Sequence, residues 1–115
     1  MSKKILIVED DDLYQNLFKR QGQRADFEVI QAFTIDEART LFAEHNDILA
    51  IGMDGCVPPG NHLNTEPLIR DFRKTFSGPI VAMSSDPDYQ KNQLRAGCSH
   101  KCEKFDLIEF VSKLI

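Results

Sequence analysis

Short apolar runs alternate along the chain with segments whose apolar residues recur at helical spacing. The runs at residues 5–8, 48–54 and 80–83 contain almost no polar residue, which is typical of strands buried on both faces of a parallel sheet. The run at residues 27–30 is shorter and alternates, as an edge strand does. A fifth, polar strand is predicted around Cys98 to Cys102.

Each predicted strand is followed by a predicted helix. Asp11 or Asp12 can cap the first helix, which carries Leu13, Leu17 and Phe18 on one face and stops near Gly22. A capping box at Thr34 to Glu37 predicts the second helix, and an early proline near Thr65 and Pro67 predicts the third. The fourth helix is predicted to start at Asp86 and to end at Gly97. The fifth is predicted from an apolar stripe of Leu107, Phe110, Val111 and Leu114.

This alternation predicts an α/β fold. We expect one domain over residues 1–115, with a doubly wound, five-stranded parallel sheet and five helices. The flavodoxin-like strand order 2-1-3-4-5 suits the differing burial of the predicted strands. The last predicted helix reaches the end of the sequence, so we expect the domain to stand alone.

Composition narrows the classes of function. The net charge of −4 argues against a nucleic-acid-binding surface, and the apolar runs are far too short to span a bilayer. The start of the chain runs into acidic residues after five apolar ones, unlike a signal peptide. Three cysteines without framework spacing fit reduced thiols. We expect a cytoplasmic protein with no direct nucleic-acid or membrane partner.

Acidic residues follow two strands that the predicted order makes neighbours. Glu9 and Asp10 follow the first strand, and Asp54 ends the third. Carboxylates that converge at the carboxyl ends of strands repel one another unless a cation offsets the repulsion. Mg²⁺ suits such a site because it takes one or two carboxylates and keeps water ligands that phosphate oxygens can replace. The sequence therefore predicts a Mg²⁺ site.

Two further groups are predicted at the same edge of the sheet. The fourth strand delivers the hydroxyl of Ser84, and the fifth delivers the ammonium of Lys104. A carboxylate nucleophile, a metal, a hydroxyl donor and a cation together suit phosphoryl transfer, in which catalysis is mostly positioning and charge stabilisation. Such a protein would catalyse its own modification rather than turn over a substrate.

The segments ILIVEDD, ILAIGMDGCVP, PIVAMS and AGCSHKCEK carry a resemblance to a known family. Over essentially its whole length the chain resembles the receiver domains of two-component response regulators, of the stand-alone chemotaxis type. In that family a phosphoacceptor aspartate ends the third strand and a proline follows four residues later, which Asp54 and Pro58 match. A shorter register would put Gly52 at the acceptor position and leave the protein unable to accept a phosphoryl group. Asp54 is preferred because Pro58 follows it at the right distance and the apolar run continues to Met53.

The resemblance implies a role for each candidate residue. Asp54 would accept a phosphoryl group from phosphohistidine on a sensor kinase or a histidine phosphotransfer protein, and the domain would signal to an unknown protein target. Asp10, Asp54 and the backbone carbonyl of Cys56 would bind Mg²⁺, and Glu9 would act through a metal-bound water. Ser84 and Lys104 would bind the phosphoryl oxygens.

The chain departs from the family at several positions. Phe105 stands where the family has proline after the lysine, and Lys101 stands where many members carry an aromatic switch residue. Ser85 replaces a small apolar residue, the loop after Pro58 is longer and the fourth helix looks short. These departures favour an alternative, a receiver-like adaptor that works without phosphorylation.

Two other interpretations remain open. A flavin or nucleotide binder would use the same sheet, although no Gly-rich phosphate loop follows the first strand. Cys98, His100 and Cys102 are expected on one face of a strand, where Cys56 or His62 could complete a zinc site. Structural zinc sites usually need a second cysteine pair, which the sequence lacks, so half-buried thiols are the preferred interpretation.

Overall fold

The computed structural model describes residues 3–115. Its strands are β1 (Lys3–Val8), β2 (Phe27–Ala32), β3 (Ile48–Met53), β4 (Ile80–Ala82) and β5 (His100–Lys101). Its helices are α1 (Asp12–Arg24), α2 (Ile35–Glu44), α3 (Glu66–Arg73), α4 (Pro87–Ala96) and α5 (Leu107–Leu114), and a 3₁₀ turn at Lys104–Asp106 precedes α5. Among the helices of these residues, none is long and apolar enough to cross a bilayer.

The five strands form one parallel sheet in the order β2-β1-β3-β4-β5. The predicted α/β fold, strand order and helix number are confirmed. In the register of the sheet Val8 lies beside Met53, the last residues of β1 and β3. The residues that follow these two strands therefore leave the sheet side by side.

Two apolar layers cover the sheet, one on each face. Alternation along β1 shows the division, because Leu6 and Val8 contribute to one layer while Ile5 and Ile7 contribute to the other. The first layer packs against α2, α3 and α4, and the second packs against α1 and α5. The central strands are thus buried on both faces, as their sequence predicts.

Helix α1 differs from its predicted form. Asp11 is the N-cap, and its Oδ1 accepts a hydrogen bond of 2.8 Å from the backbone N–H of Leu13. The predicted stop at Gly22 is wrong, because α1 runs to Arg24. Gly22 lies inside the helix where a Cβ would be 2.5 Å from Cγ2 of Val29, so the glycine allows close packing of α1 on β2.

The predicted apolar face of α1 is also partly wrong. Leu13 is 79% exposed, whereas Gln15, Phe18 and Gly22 are buried. These three positions follow the i, i+3, i+7 spacing of one helix face. The apolar pattern does not include position 15, because glutamine is a polar residue.

The two cysteines near β5 lie on opposite sides of the sheet. Cys98 is buried in the layer with α3 and α4, and Cys102 packs against the layer with α1 and α5. The expectation that they share one face is wrong, because β5 comprises only His100–Lys101 and Cys98 precedes it. Burial raises the pKa of the Cys98 thiol to about 12 and that of Cys102 to about 11. This arrangement argues against the zinc interpretation.

Candidate functional site

The register of the sheet brings the carboxylates after β1 and β3 together. The backbone N–H of Asp54 donates to the carbonyl of Val8 (3.0 Å), and that of Glu9 donates to the carbonyl of Ala32 (2.9 Å). Both residues therefore remain tied to the neighbouring strand as the chain leaves the sheet. Carboxylate oxygens of Glu9, Asp10 and Asp54 lie within 4.8 Å of one another.

Lys104 extends into this acidic group from the turn after β5. Its Nζ lies 2.6 Å from Oε1 of Glu9 and 3.5 Å from Oδ2 of Asp54. The ring of Tyr14, in the first turn of α1, packs against the same ammonium, with Nζ 4.5 Å from the ring centroid. An ammonium held between two carboxylates and an aromatic face is well placed to meet a further anion.

Glu9 is a buried acid in an acidic neighbourhood. Its side chain is about 1% exposed, and the backbone N–H of Asp11 donates to its Oε2 at 3.2 Å. Burial, with the charge of Asp54 adding to it, raises the pKa of Glu9 from 4.5 to about 7 although Lys104 opposes the shift. A divalent cation would relieve this repulsion, so the donor set fits a hard metal ion such as Mg²⁺.

The carboxylate of Asp54 is held at one oxygen and open at the other. Oδ1 accepts a hydrogen bond of 2.8 Å from the N–H of Gly55, while Oδ2 faces Lys104. Asp54 as a whole is 8% exposed. The carboxylate is therefore oriented by the backbone N–H of the next residue, and its other oxygen faces the ammonium of Lys104.

Ser84 lies beside this oriented carboxylate. A Cβ on Gly55 would lie 3.0 Å from Oγ of Ser84 and 2.8 Å from Cδ2 of Tyr89. Glycine at position 55 thus allows the hydroxyl to approach the backbone next to Asp54. Oγ of Ser84 accepts from the N–H of Asp86 (3.2 Å), which leaves its hydrogen able to donate to another group.

Cys56 is the least informative of the predicted site residues. It follows Asp54 by two positions and is half-buried. Burial, with the charges of Asp10 and Asp54 adding to it, raises the pKa of its thiol above the usual value. The thiol therefore stays protonated at neutral pH, and a role in metal binding would fall to the backbone carbonyl.

Sequence reasoning missed a set of buried polar side chains around the site. Nε2 of Gln15 donates to the carbonyls of Ile7, Glu9 and Ala32 at 3.0–3.2 Å. Nε2 of Gln93 and Oγ1 of Thr65 each donate a hydrogen bond to the backbone carbonyl of Asp54. Helical spacing indicates that both glutamines lie on buried faces. Gln15 shares a helix face with the buried Phe18, and Gln93 is three residues before the buried Ala96.

Comparison with known proteins identifies the fold. No family model matches the chain. The chain is 36% identical over 96 residues to regulatory protein VanRB of Enterococcus faecalis, a match that covers 84% of this chain and 41% of VanRB. The BeF3-activated N-terminal receiver domain of Klebsiella pneumoniae RstA superposes with a TM-score of 0.82 at 24% identity, covering 97% of each chain. The chain has the receiver-domain fold of response regulators.

A second solved structure has the same fold. A response regulator protein from Burkholderia pseudomallei, described with a phosphorylated aspartic acid, a calcium ion and citrate, superposes with a TM-score of 0.82 at 17% identity. That match covers 98% of this chain and 66% of the other. The chain spans less than half the length of VanRB.

The positions at which this receiver departs from the family pattern are exposed. Lys101 lies exposed on β5, and Phe105 is 65% exposed, with its ring 5.9 Å from that of Tyr14. The peptide bond between Lys104 and Phe105 is trans. The departures therefore alter the surface around the acidic group and leave the group itself complete.

Proposed function

We propose that this receiver domain accepts a phosphoryl group on Asp54 from a phosphohistidine of a sensor kinase or histidine phosphotransfer protein. The observation that carries the proposal is the group of three carboxylates within 4.8 Å, with Lys104 against two of them. Neither a flavin site nor a simple solvated acidic loop explains a lysine held between two buried carboxylates. The proposal places the chain in the cytoplasm, with an unknown protein target downstream.

The proposed reaction is an in-line transfer. An oxygen of the Asp54 carboxylate attacks phosphorus, an oxygen–phosphorus bond forms, and the nitrogen–phosphorus bond of phosphohistidine breaks with its electron pair passing to the imidazole. Oδ2 is the better candidate for the nucleophile, because Oδ1 already accepts from Gly55. Lys104 faces Oδ2 and would neutralise charge on the transferred group.

Glu9, Asp10 and Asp54 would hold Mg²⁺, with the backbone carbonyl of Cys56 as a further ligand. When bound, Mg²⁺ would offset the charge of the phosphoryl oxygens. Asp10 is the exposed member of the group, so it can meet a hydrated ion without the cost of opening the site. The hydroxyl of Ser84, with its hydrogen free to donate, would bind a phosphoryl oxygen.

The relatives support the chemistry without deciding it for this chain. The structure of the Burkholderia pseudomallei protein contains a phosphorylated aspartic acid and a calcium ion, and the RstA receiver domain is BeF3-activated. A calcium ion and Mg²⁺ are both hard cations that prefer oxygen ligands. The same donor set at the ends of β1 and β3 would suit either ion.

The intact mass of the protein after incubation with acetyl phosphate and Mg²⁺ tests the proposal. We expect one added phosphoryl group, about 80 Da, in the wild type and none in Asp54→Asn. Asp12→Asn is the matched control, because Asp12 belongs to the same acidic run but lies outside the carboxylate group. Chelation of the metal should stop labelling of the wild type.

A negative result would favour the adaptor. If neither acetyl phosphate nor a phosphorylated histidine phosphotransfer protein labels the wild type, the domain does not accept a phosphoryl group and signals through its surface alone. Labelling of Asp54→Asn at the wild-type rate would place the acceptor elsewhere in the chain.

A further inference from the structure

Two fully buried side chains hold the main chain of Asp54, and the roles above use neither. Nε2 of Gln93, on α4, donates to the carbonyls of Asp54 (2.9 Å) and Met53 (3.1 Å) and to Oγ1 of Thr65 (3.3 Å). Oγ1 of Thr65 donates to the same carbonyl of Asp54 at 2.9 Å. Both lone pairs of that carbonyl oxygen are therefore engaged.

The amide of Gln93 has only one reasonable orientation. Its Nε2 faces three oxygen atoms, and the reversed amide would place a carbonyl oxygen against them. The observed orientation leaves Oε1 buried without a hydrogen-bond partner among residues 3–115. An apolar side chain would leave no such unpaired oxygen, so packing of α4 on the sheet gives no reason for an amide here.

The peptide unit between Asp54 and Gly55 links this network to the acceptor carboxylate. Its carbonyl is the oxygen held by Gln93 and Thr65, and its N–H donates to Oδ1 of Asp54 at 2.8 Å. Because a peptide unit is planar, fixing the direction of its carbonyl fixes the direction of its N–H. The two buried donors are thus connected to the carboxylate of Asp54 through one rigid peptide unit.

Helix α4 contacts this peptide unit at two positions on one face. Tyr89 and Gln93 are four residues apart, which places both side chains on the same side of the helix. The ring of Tyr89 lies against Gly55, where an added Cβ would be 2.8 Å from Cδ2. The position of α4 and the orientation of the acceptor peptide are therefore coupled by direct contact.

We propose that Gln93 is a positioning residue for the phosphoacceptor. Acting with Thr65, it orients the peptide unit that follows Asp54 and thereby holds the carboxylate in the direction that the metal ion and the phosphoryl donor require. The inference rests on the proposed function, which supplies the phosphoryl donor. The orientation of the carboxylate is nevertheless a property of the metal-free protein, so it can be measured without the metal ion and without the phosphoryl donor.

Gln93→Leu tests the inference because it removes the donor and nearly keeps the volume. We expect the amide hydrogen of Gly55 to exchange at least tenfold faster in the metal-free variant than in the wild type. The dissociation constant for Mg²⁺ should rise three- to tenfold. Phosphorylation by acetyl phosphate at saturating Mg²⁺ should slow at least tenfold. Ile69→Val, a core change on α3, is the control for a loss of stability without a change in these three readouts.

Thr65 supplies a matched pair of variants. Thr65→Val keeps the shape and removes the hydroxyl, and it should change the three readouts in the same direction as Gln93→Leu. Thr65→Ser keeps the hydroxyl and should behave as the wild type. The side chain of Thr65 does not cap α3, so the valine variant loses no helix cap. This pair decides the question if Gln93→Leu does not fold.

A wild-type Gly55 exchange rate and Mg²⁺ affinity in both Gln93→Leu and Thr65→Val would overturn the inference and leave Gln93 a purely structural residue. If the wild type accepts no phosphoryl group, the proposed function fails by itself. The exchange and metal-binding readouts then still decide the role of Gln93.

Discussion

Lys104 pairs more closely with Glu9 than with Asp54. Its Nζ lies 2.6 Å from the carboxylate of Glu9 and 3.5 Å from that of Asp54. Glu9 is the more buried of the two acids, so the lysine stabilises the ionised form that burial disfavours. In the metal-free domain the ammonium therefore provides part of the positive charge that a metal ion would supply.

We expect the metal-free domain to lose stability as the pH rises from about 4.5 to about 7. Over this range Glu9 keeps its proton in the folded state, because its pKa is raised to about 7, and loses it in the unfolded state. The folded state then binds more protons, so the free energy of unfolding falls with increasing pH. Urea denaturation in the presence of a chelator measures this slope.

Substitutions can separate the contribution of Glu9 to this pH dependence from the contributions of the other acids. Asp47 and Asp71 have lowered pKa values, so their contribution is lost only at lower pH. Glu9→Gln should flatten the slope, and Glu44→Gln, at an exposed position, should leave it unchanged. A stability that rises with pH across this range would contradict the assignment.

The second prediction concerns the metal ion. Asp10→Asn should weaken Mg²⁺ binding at least tenfold, because Asp10 is the exposed member of the carboxylate group and its charge would attract the hydrated ion. At a concentration one hundred times its dissociation constant, Mg²⁺ should stabilise the wild type by about 2.7 kcal/mol. Thermal melting with and without Mg²⁺ measures both effects, and Asp12→Asn serves as the control. Equal stabilisation of Asp10→Asn would show that the ion binds elsewhere.

The fold could be predicted from the sequence because its three central strands are largely apolar and its helices have apolar stripes. The grouping of Glu9, Asp10 and Asp54 also followed, since residues at the ends of neighbouring parallel strands meet. Gln93 and Thr65 could not be assigned to the site in this way. Their partners are backbone carbonyls, which carry no mark in the sequence.

The errors have a related origin. Glycine is common at the end of a helix, yet at position 22 the close approach of Val29 requires a glycine inside α1. Cys98 and Cys102 are spaced as residues on one face of a strand, yet β5 is too short to include them. In each case tertiary packing decides a question that local pattern leaves open.

The third prediction tests the register of β3. A Cβ on Gly52 would lie 2.8 Å from Cδ2 of Leu107, so Gly52→Ala should destabilise the domain by about 1–3 kcal/mol. Leu107→Val should relieve part of this cost in the double variant, as measured by urea denaturation. Phosphorylation of the folded fraction should be unchanged. Glycine cannot accept a phosphoryl group, so a wild-type protein that is not phosphorylated at all would favour the register rejected above.

The anchoring of α4 bears on how a phosphoryl group would reshape the domain. Its second half is tied down twice, by Gln93 to the end of β3 and by Arg73, whose Nε donates to the carbonyl of Gly97 at 2.7 Å. Its N-cap is Asp86, two residues after Ser84, and its first turn is largely exposed. A pull on Ser84 should therefore move the first turn of α4 and leave its second half in place.

We expect beryllofluoride, a mimic of the phosphoryl group, to shift the amide signals of residues 84–90 and of the loop at residues 56–64, with little change at residues 98–114 other than Lys104 itself. Phosphorylation adds about two negative charges that Ser84 and Lys104 can meet locally. A rearrangement that spread through β5 would need a side chain to fill the space vacated near the strand. Lys101 is exposed there, and burying its unpaired ammonium would be costly. Lys101→Ala should accordingly leave the pattern of shifts unchanged, whereas large shifts throughout residues 98–114 of the wild type would show that β5 and α5 switch without an aromatic residue.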